Sequence, residues 1–374
     1  MFPGGPLQHF MRKGASALRD PNPFFDAAFY SAQNPEARAN PPVHYLRRGA
    51  AQGLRPSQEF DPAWYLDSYP DVAAAGIEPL SHFLRLGRAE GRLPAEPDDF
   101  STVDEAKLVC LKRPTPRETM ALFVTHASGR EVKPHVPPYL AALAREDVST
   151  ILIVAADKPE AFVSEGLSNL VDGFYLRQNG GYDFAAWAHV ARDLDFSRAN
   201  CLFLLNDSVV GPTNAERFST LMARIRASDA QLIGLTESEE ITRHFQSYFL
   251  VAKEEGVATM LDYLGEVKSY PNKHAVIIAY EVPLLRRFLR EGLREEALFS
   301  LAAIRGSSLE DWQALLQRGM PFVKVSALRS ARDNWRDALH GEGYDPGLAE
   351  GALSAAEPPK PAANPAAHEQ LRLL

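Results

Sequence analysis

The chain has 374 residues, enough for one sizeable α/β core and a small extra module, and its 45% hydrophobic and 24% charged content is that of a globular protein. A net charge of −8 argues against a nucleic-acid partner, whose phosphates need a clustered basic surface, and two cysteines, Cys110 and Cys201, cannot build a disulfide framework. No stretch approaches the roughly 20 apolar residues that span a bilayer, and Met1 to Arg19 lacks a signal-peptide core, so the expectation is a cytoplasmic protein that meets a membrane only peripherally.

Two related segments open the chain. One runs from Phe24 to Pro56 and the other from Phe60 to Pro94. Tyr30 aligns with Tyr65 at an offset of 35, whereas His44, Gly49 and Gly53 align with His82, Gly87 and Gly91 at an offset of 38. Each copy reads as short helices punctuated by Pro and Gly with aromatics turned inward, and neither can bury its apolar face alone. His44 and His82 read as hydrogen-bonding residues internal to each repeat. The module is placed at 20–95, a Pro-rich charged linker at 96–117, an α/β domain at 118–345, and a disordered Ala/Pro-rich tail at 346–374.

Six strands are predicted in the domain, at 121–125, 150–155, 173–176, 201–205, 231–235 and 248–251, with amphipathic helical segments between most of them. Strands alternating with helices indicate an α/β fold with a mostly parallel sheet flanked by helices, and such sheets bind ligands beyond the carboxyl ends of their strands. That rule selects three segments. After the fourth strand comes Asn206-Asp207-Ser208, three oxygen-bearing side chains suited to Mg²⁺ or Mn²⁺ shared with substrate phosphates, or to a plain turn before Gly211-Pro212. After the third comes Arg177-Gln178-Asn179-Gly180-Gly181-Tyr182-Asp183. Here Arg177 can pair with a diphosphate and Asp183 can accept from a sugar hydroxyl or cap the helix that follows. Glu281, ahead of the amphipathic run from Val282, has the chemistry of a general base or of a charge favoured by a helix N-terminus. Glu237, His244 and Gln246, beside the fifth and sixth strands, are acceptor-side candidates or members of a loop network.

Taken in order, Thr125-His126, the Arg177 to Trp187 segment, Leu204-Leu205-Asn206-Asp207-Ser208, Gly211-Pro212, Gly234 to Ser238, Gln246 to Phe249, Tyr280-Glu281 and Gly319-x-Pro321-Phe322-Val323-Lys324 resemble the rhamnan synthesis protein F family over residues 118–328. The resemblance implies a rhamnosyltransferase that moves L-rhamnose from dTDP-β-L-rhamnose to a lipid-linked glycan acceptor. The layout is also similar to GT-A glycosyltransferases, in which an Asp-x-Asp motif holds metal and donor diphosphate; here one carboxylate, Asp207, stands in Asn206-Asp207-Ser208. By the same analogy Glu281 becomes the general base, with Arg177, Asn179, Asp183, Asn206, Asp207 and Ser208 on the donor. The N-terminal repeats resemble modules found beside bacterial glycosyltransferase domains. The competing reading is a non-catalytic glycan-binding or scaffold protein of a polysaccharide assembly complex. A Rossmann dehydrogenase or methyltransferase is disfavoured, since Thr125-His126-Ala127-Ser128-Gly129 replaces a Gly-x-Gly-x-x-Gly turn.

Overall fold

The computed structural model describes residues 20–88, 92–96, 106–163, 166–239, 243–300, 311–331 and 334–354. They fall into two compact units, one within Met1–Phe100 and the other within Ser101–Glu239 and Arg243–Leu374.

The first unit is helical and its two repeats fold alike. Asp26 and Asp61 each begin a repeat by accepting, through the side chain, the N–H of Phe29 and of Trp64, the capping interaction that starts the helices Ala27–Gln33 and Pro62–Ser68. The Tyr30 hydroxyl shares a 2.9 Å hydrogen bond with His44 Nδ1, and Tyr65 does the same with His82. These histidines are therefore structural, as the repeat pattern indicated. Gly49 and Gly87 follow from that pairing, because a Cβ at either would overlap the hydroxyl of Tyr30 or Tyr65. Tyr45 joins the copies by donating to Glu78 at 3.0 Å, and the shared core comprises Phe25, Tyr30, Tyr45, Phe60, Tyr65 and Phe83 among others.

Gly87→Ala is expected to cost about 1–3 kcal/mol by overpacking. Tyr65→Phe, which removes the obstructing oxygen, should restore part of it, so the double variant loses less than the sum in urea unfolding. Additive losses would show that the glycine is not there to admit the tyrosine.

The second unit is built on a mixed sheet. Its strands are β1 Leu108–Lys112, β2 Thr119–Ala127, β3 Ser149–Ala156, β4 Gly173–Gln178, β5 Cys201–Asn206, β7 Leu232–Ser238, β9 Phe249–Lys253 and β10 Glu295–Phe299, in the order β1-β4-β3-β2-β5-β9-β7-β10. A short β8, His244–Phe245, pairs antiparallel with β7. A separate pair joins β6, Val209–Val210, to β11, Val323–Lys324. Pairings β4-β3, β3-β2, β2-β5 and β7-β10 are parallel, while β1 and β9 run against their neighbours. All six predicted strands are present and the fold is α/β as expected. β3 is buried along its whole length, as a strand covered by helices on both faces must be, which explains its unbroken apolar run.

Two boundary expectations are corrected. The linker read at 96–117 contains β1, an edge strand antiparallel to β4; its pairing uses backbone groups that carry no composition signal. The tail read as disordered from 346 begins with the helix Pro346–Ser354, whose Ala349 and Ala352 pack with Trp335, Leu339 and Tyr344. Alanine there provides helix propensity and a small contact face. The rest of the tail lies outside the described residues. Among the described residues no helix is long and apolar enough to cross a membrane.

Candidate functional site at the carboxyl edge of the sheet

Because β9 is antiparallel to both β5 and β7, strands β2, β3, β4, β5, β7 and β10 point the same way. Their carboxyl ends, with the start of β9, form one polar edge.

Asp207 is its centre. One carboxylate oxygen, Oδ2, accepts from the Thr125 hydroxyl at 2.5 Å, the His126 backbone N–H at 3.1 Å and the Lys133 ammonium at 2.9 Å. Its carbonyl accepts from His135 Nε2 at 2.9 Å, which fixes the proton of that buried imidazole on Nε2. Burial raises the Asp207 carboxyl, but Lys133, His135 and the Thr125 hydroxyl outweigh it and hold the group below the ordinary carboxylate range. Burial likewise keeps His135 below its usual value, hence neutral.

Asp183 lies next to this group. It does not cap its helix: Tyr182–Ala191 begins from Gly181, with no side-chain cap, and Asp183 sits in the first turn. Its Oδ2 accepts instead from Asn206 Nδ2 at 2.6 Å. The approach depends on backbone that few residues adopt, with Gly180 at φ 157°, Gly181 at φ 71° and Tyr182 at φ 57°. A Cβ on Gly181 would overlap Ser269 and Ala185. Burial first, and then the negative charge of Asp207, push the Asp183 carboxyl up to about 6, against the pull of Lys273, Asn206 and Lys133.

The pH consequence has a definite sign. The folded state holds the Asp183 proton more tightly than the unfolded chain, whose value is near 3.8, so stability falls as pH rises from about 4 to about 6. Asp183→Asn keeps an acceptor for Asn206 and removes the charge. It should melt higher than the native protein at pH 7.5, by at most about 3 kcal/mol, with the gap closing by pH 4. A gap independent of pH would disprove the account of this carboxyl.

Glu281 lies beside the start of β9, against Ser247. It does not lie ahead of a helix but inside a helical run: Lys273–Val276 passes into a π turn, Ile277–Glu281, and on into Val282–Arg290, with Glu281 at helical φ and ψ. Pro283, which has no N–H to give, accounts for the wider turn, and the Tyr263 hydroxyl donates to the Tyr280 carbonyl at 2.8 Å. The helix-dipole reading of Glu281 therefore falls away. Its Oε2 accepts from the Ser247 N–H at 3.2 Å and from the Ser247 hydroxyl, and Oε1 is 3.5 Å from His244 Nε2. Burial raises this carboxyl, but His244, Ser247 and the charge of Lys324 outweigh it, so Glu281 is ionised at neutral pH.

The two clusters adjoin. The Asn206 N–H donates to the Tyr248 carbonyl at 3.3 Å, and Lys324 lies over the Tyr248 ring at 5.2 Å. The β6-β11 pair, with Val325 N–H donating to the Ser208 carbonyl at 2.9 Å, ties the Gly319–Lys324 motif to the Asn206-Asp207-Ser208 turn. Two motifs more than a hundred residues apart are thus one structural unit.

The remaining candidates separate. Asn179 donates to Asp157 at 2.7 Å on the same edge, where His126 Nε2 donates to the same Asp157 oxygen at 3.0 Å. The buried Arg177 guanidinium donates to the carbonyls of Gln178 and Gly180 and so braces the glycine turn. Glu237 accepts from Arg243 at 2.7 Å and from the Ser300 hydroxyl, and Gln246 accepts from Thr236 at 2.6 Å. Both tie neighbouring segments of the sheet edge together. His244 is brought to Glu281. Sequence reasoning passed over Lys133, His135 and Asp157 as site residues; the rule that selected strand ends points to Asp157 after β3 and, less directly, to Lys133 on the loop after β2.

The expected Mg²⁺ or Mn²⁺ does not fit this donor set. Asp207 Oδ2 already takes three donors, one of them an ammonium whose charge would oppose the ion. The Asn206 amide oxygen accepts both the N–H and the hydroxyl of Ser208. Among the described residues no three His, Cys, Asp or Glu side chains converge as a metal cage.

A mostly parallel α/β sheet with buried carboxylates, a lysine and a helix-borne glutamate on its carboxyl edge has the build of a ligand-binding α/β protein. Residues 151–339 match the rhamnan synthesis protein F family, and the chain belongs to that family. Membership assigns it to rhamnan and polysaccharide synthesis and to glycosyltransferase-type enzymes. Two sequences of the virulence protein VirA of Vibrio anguillarum, one from strain ATCC 68554 / 775, are each 23% identical over 229 residues, covering 50% of this chain and 71% of theirs.

Proposed function

We propose that the protein is an inverting glycosyltransferase that moves L-rhamnose from dTDP-β-L-rhamnose onto a growing, lipid-linked bacterial surface polysaccharide. The observation that carries the reading is the meeting of two carboxylate clusters, Asp183-Asn206-Asp207 and Glu281-Ser247-His244, on the carboxyl edge of a sheet in a chain of this family.

Glu281 is the general base. It is ionised, and Ser247 and His244 hold its carboxylate in one orientation while leaving it partly accessible. It takes the proton of an acceptor hydroxyl; that oxygen forms the new bond to the anomeric carbon as the bond to the diphosphate breaks, and dTDP leaves with the electron pair. Asp183, Asn179 and the Asn206-Asp207-Ser208 turn orient the donor. The protein works at the cytoplasmic face of the membrane that carries its acceptor.

Deleting the chain in its host and analysing the sugar content of the surface polysaccharide tests this. Rhamnose should be lost, restored by the native chain, and not restored by Glu281→Gln. Restoration by Glu281→Gln would instead favour a scaffold that binds glycan.

A further inference from the structure

The sequence pattern offers the Asn206-Asp207-Ser208 turn to a metal, yet its carboxylate holds an ammonium. Lys133 reaches Asp207 from the loop that follows β2, across 74 positions of sequence. Both side chains are largely buried, at 19% and 11% exposure, so this is an ion pair placed in low dielectric at a ligand edge. A hydroxyl and a backbone N–H already serve the same oxygen.

The same loop lines an open groove of about 310 Å³, whose walls include His126, Ser128, Gly129, Arg130, Glu131 and Lys133. Lys133 therefore faces two ways, toward Asp207 and toward an accessible space. An ammonium has three hydrogens, and among the described residues Asp207 is its one hydrogen-bond partner. A diphosphate leaving group needs positive charge beside it as the glycosidic bond breaks, from a metal or from fixed cations. A site with Asp183 and Asp207 and no cation would repel it.

We propose that Lys133 is the diphosphate-binding cation of this site, held in place by Asp207, so that nucleoside diphosphates bind without a divalent ion. Asp207 then acts as a positioning residue: it fixes the ammonium and does not ligate a metal. The inference rests on the nucleotide-sugar reading above and specifies its charge chemistry.

Titration calorimetry of the full chain with dTDP, UDP and GDP, each in EDTA and in Mn²⁺, tests it. At least one nucleotide should bind equally in EDTA and Mn²⁺. Lys133→Gln, which keeps a donor for Asp207, should weaken it by about 10-fold to 100-fold, the loss of one charge-assisted hydrogen bond. Lys133→Arg should recover most of the affinity, and melting curves establish that both variants fold. Binding that appears only with Mn²⁺ in the native protein, a result that needs no variant, overturns the proposal and leaves the transferase reading standing. Unchanged affinity in a folded Lys133→Gln does the same. No binding of any nucleotide in either condition overturns both.

Discussion

Asp207→Ala should lower the stability of the second unit by about 3 kcal/mol, because it leaves a largely buried ammonium, a buried hydroxyl and a backbone N–H without their common acceptor. Part of the loss returns, since Asp183 no longer faces a second carboxylate. Asp207→Asn should fall between, keeping an acceptor oxygen and losing the charge. Urea unfolding of the three proteins at pH 7.5 measures the series. A folded Asp207→Ala within about 1 kcal/mol of native would mean that water replaces the carboxylate and that the cluster is not the buried network described.

Glu281→Gln should reduce the rate of dTDP release from dTDP-β-L-rhamnose in the presence of acceptor by about 10²-fold to 10⁴-fold, the range for removing a general base. Its effect on melting should be small, because the amide oxygen still accepts from Ser247. The Glu281 carboxyl lies below its ordinary value, so the native rate should hold across neutral pH and fall only on acidification through the range of a depressed carboxylate. Native-like turnover in Glu281→Gln would remove Glu281 from the chemistry and direct attention to Asp183, the neighbouring carboxyl with the raised value.

The sequence was legible where one physical signal dominated. Continuous apolar runs such as Thr150–Ala155 could only be strands of a covered sheet, and the rule of carboxyl-end binding then led to Asp183 and Asp207 without any knowledge of the fold. The repeat tyrosines, histidines and glycines were legible because the same four positions recur in both copies. What escaped was of two kinds. β1 and β10 are short, and Glu295-Glu296-Ala297-Leu298-Phe299 has no β-branched residue, so pairing and not composition makes it a strand. Lys133 escaped because its meaning lies in a contact 74 residues away, and sequence cannot show that the Arg177 guanidinium turns onto the carbonyls of its own glycine turn. The helical run through Glu281 was hidden by Pro283, a residue that ordinarily marks a helix start and here sits beyond a π turn.

The most direct test of sugar transfer at this edge is proton NMR of the anomeric signal of dTDP-β-L-rhamnose mixed with the purified protein and a rhamnan oligosaccharide. The account predicts that the donor signal decays as an α-linked rhamnose signal grows, and that Glu281→Gln stops both. A donor signal that persists with the folded native protein, while the oligosaccharide broadens on binding, would contradict it and identify a glycan-binding member of the family.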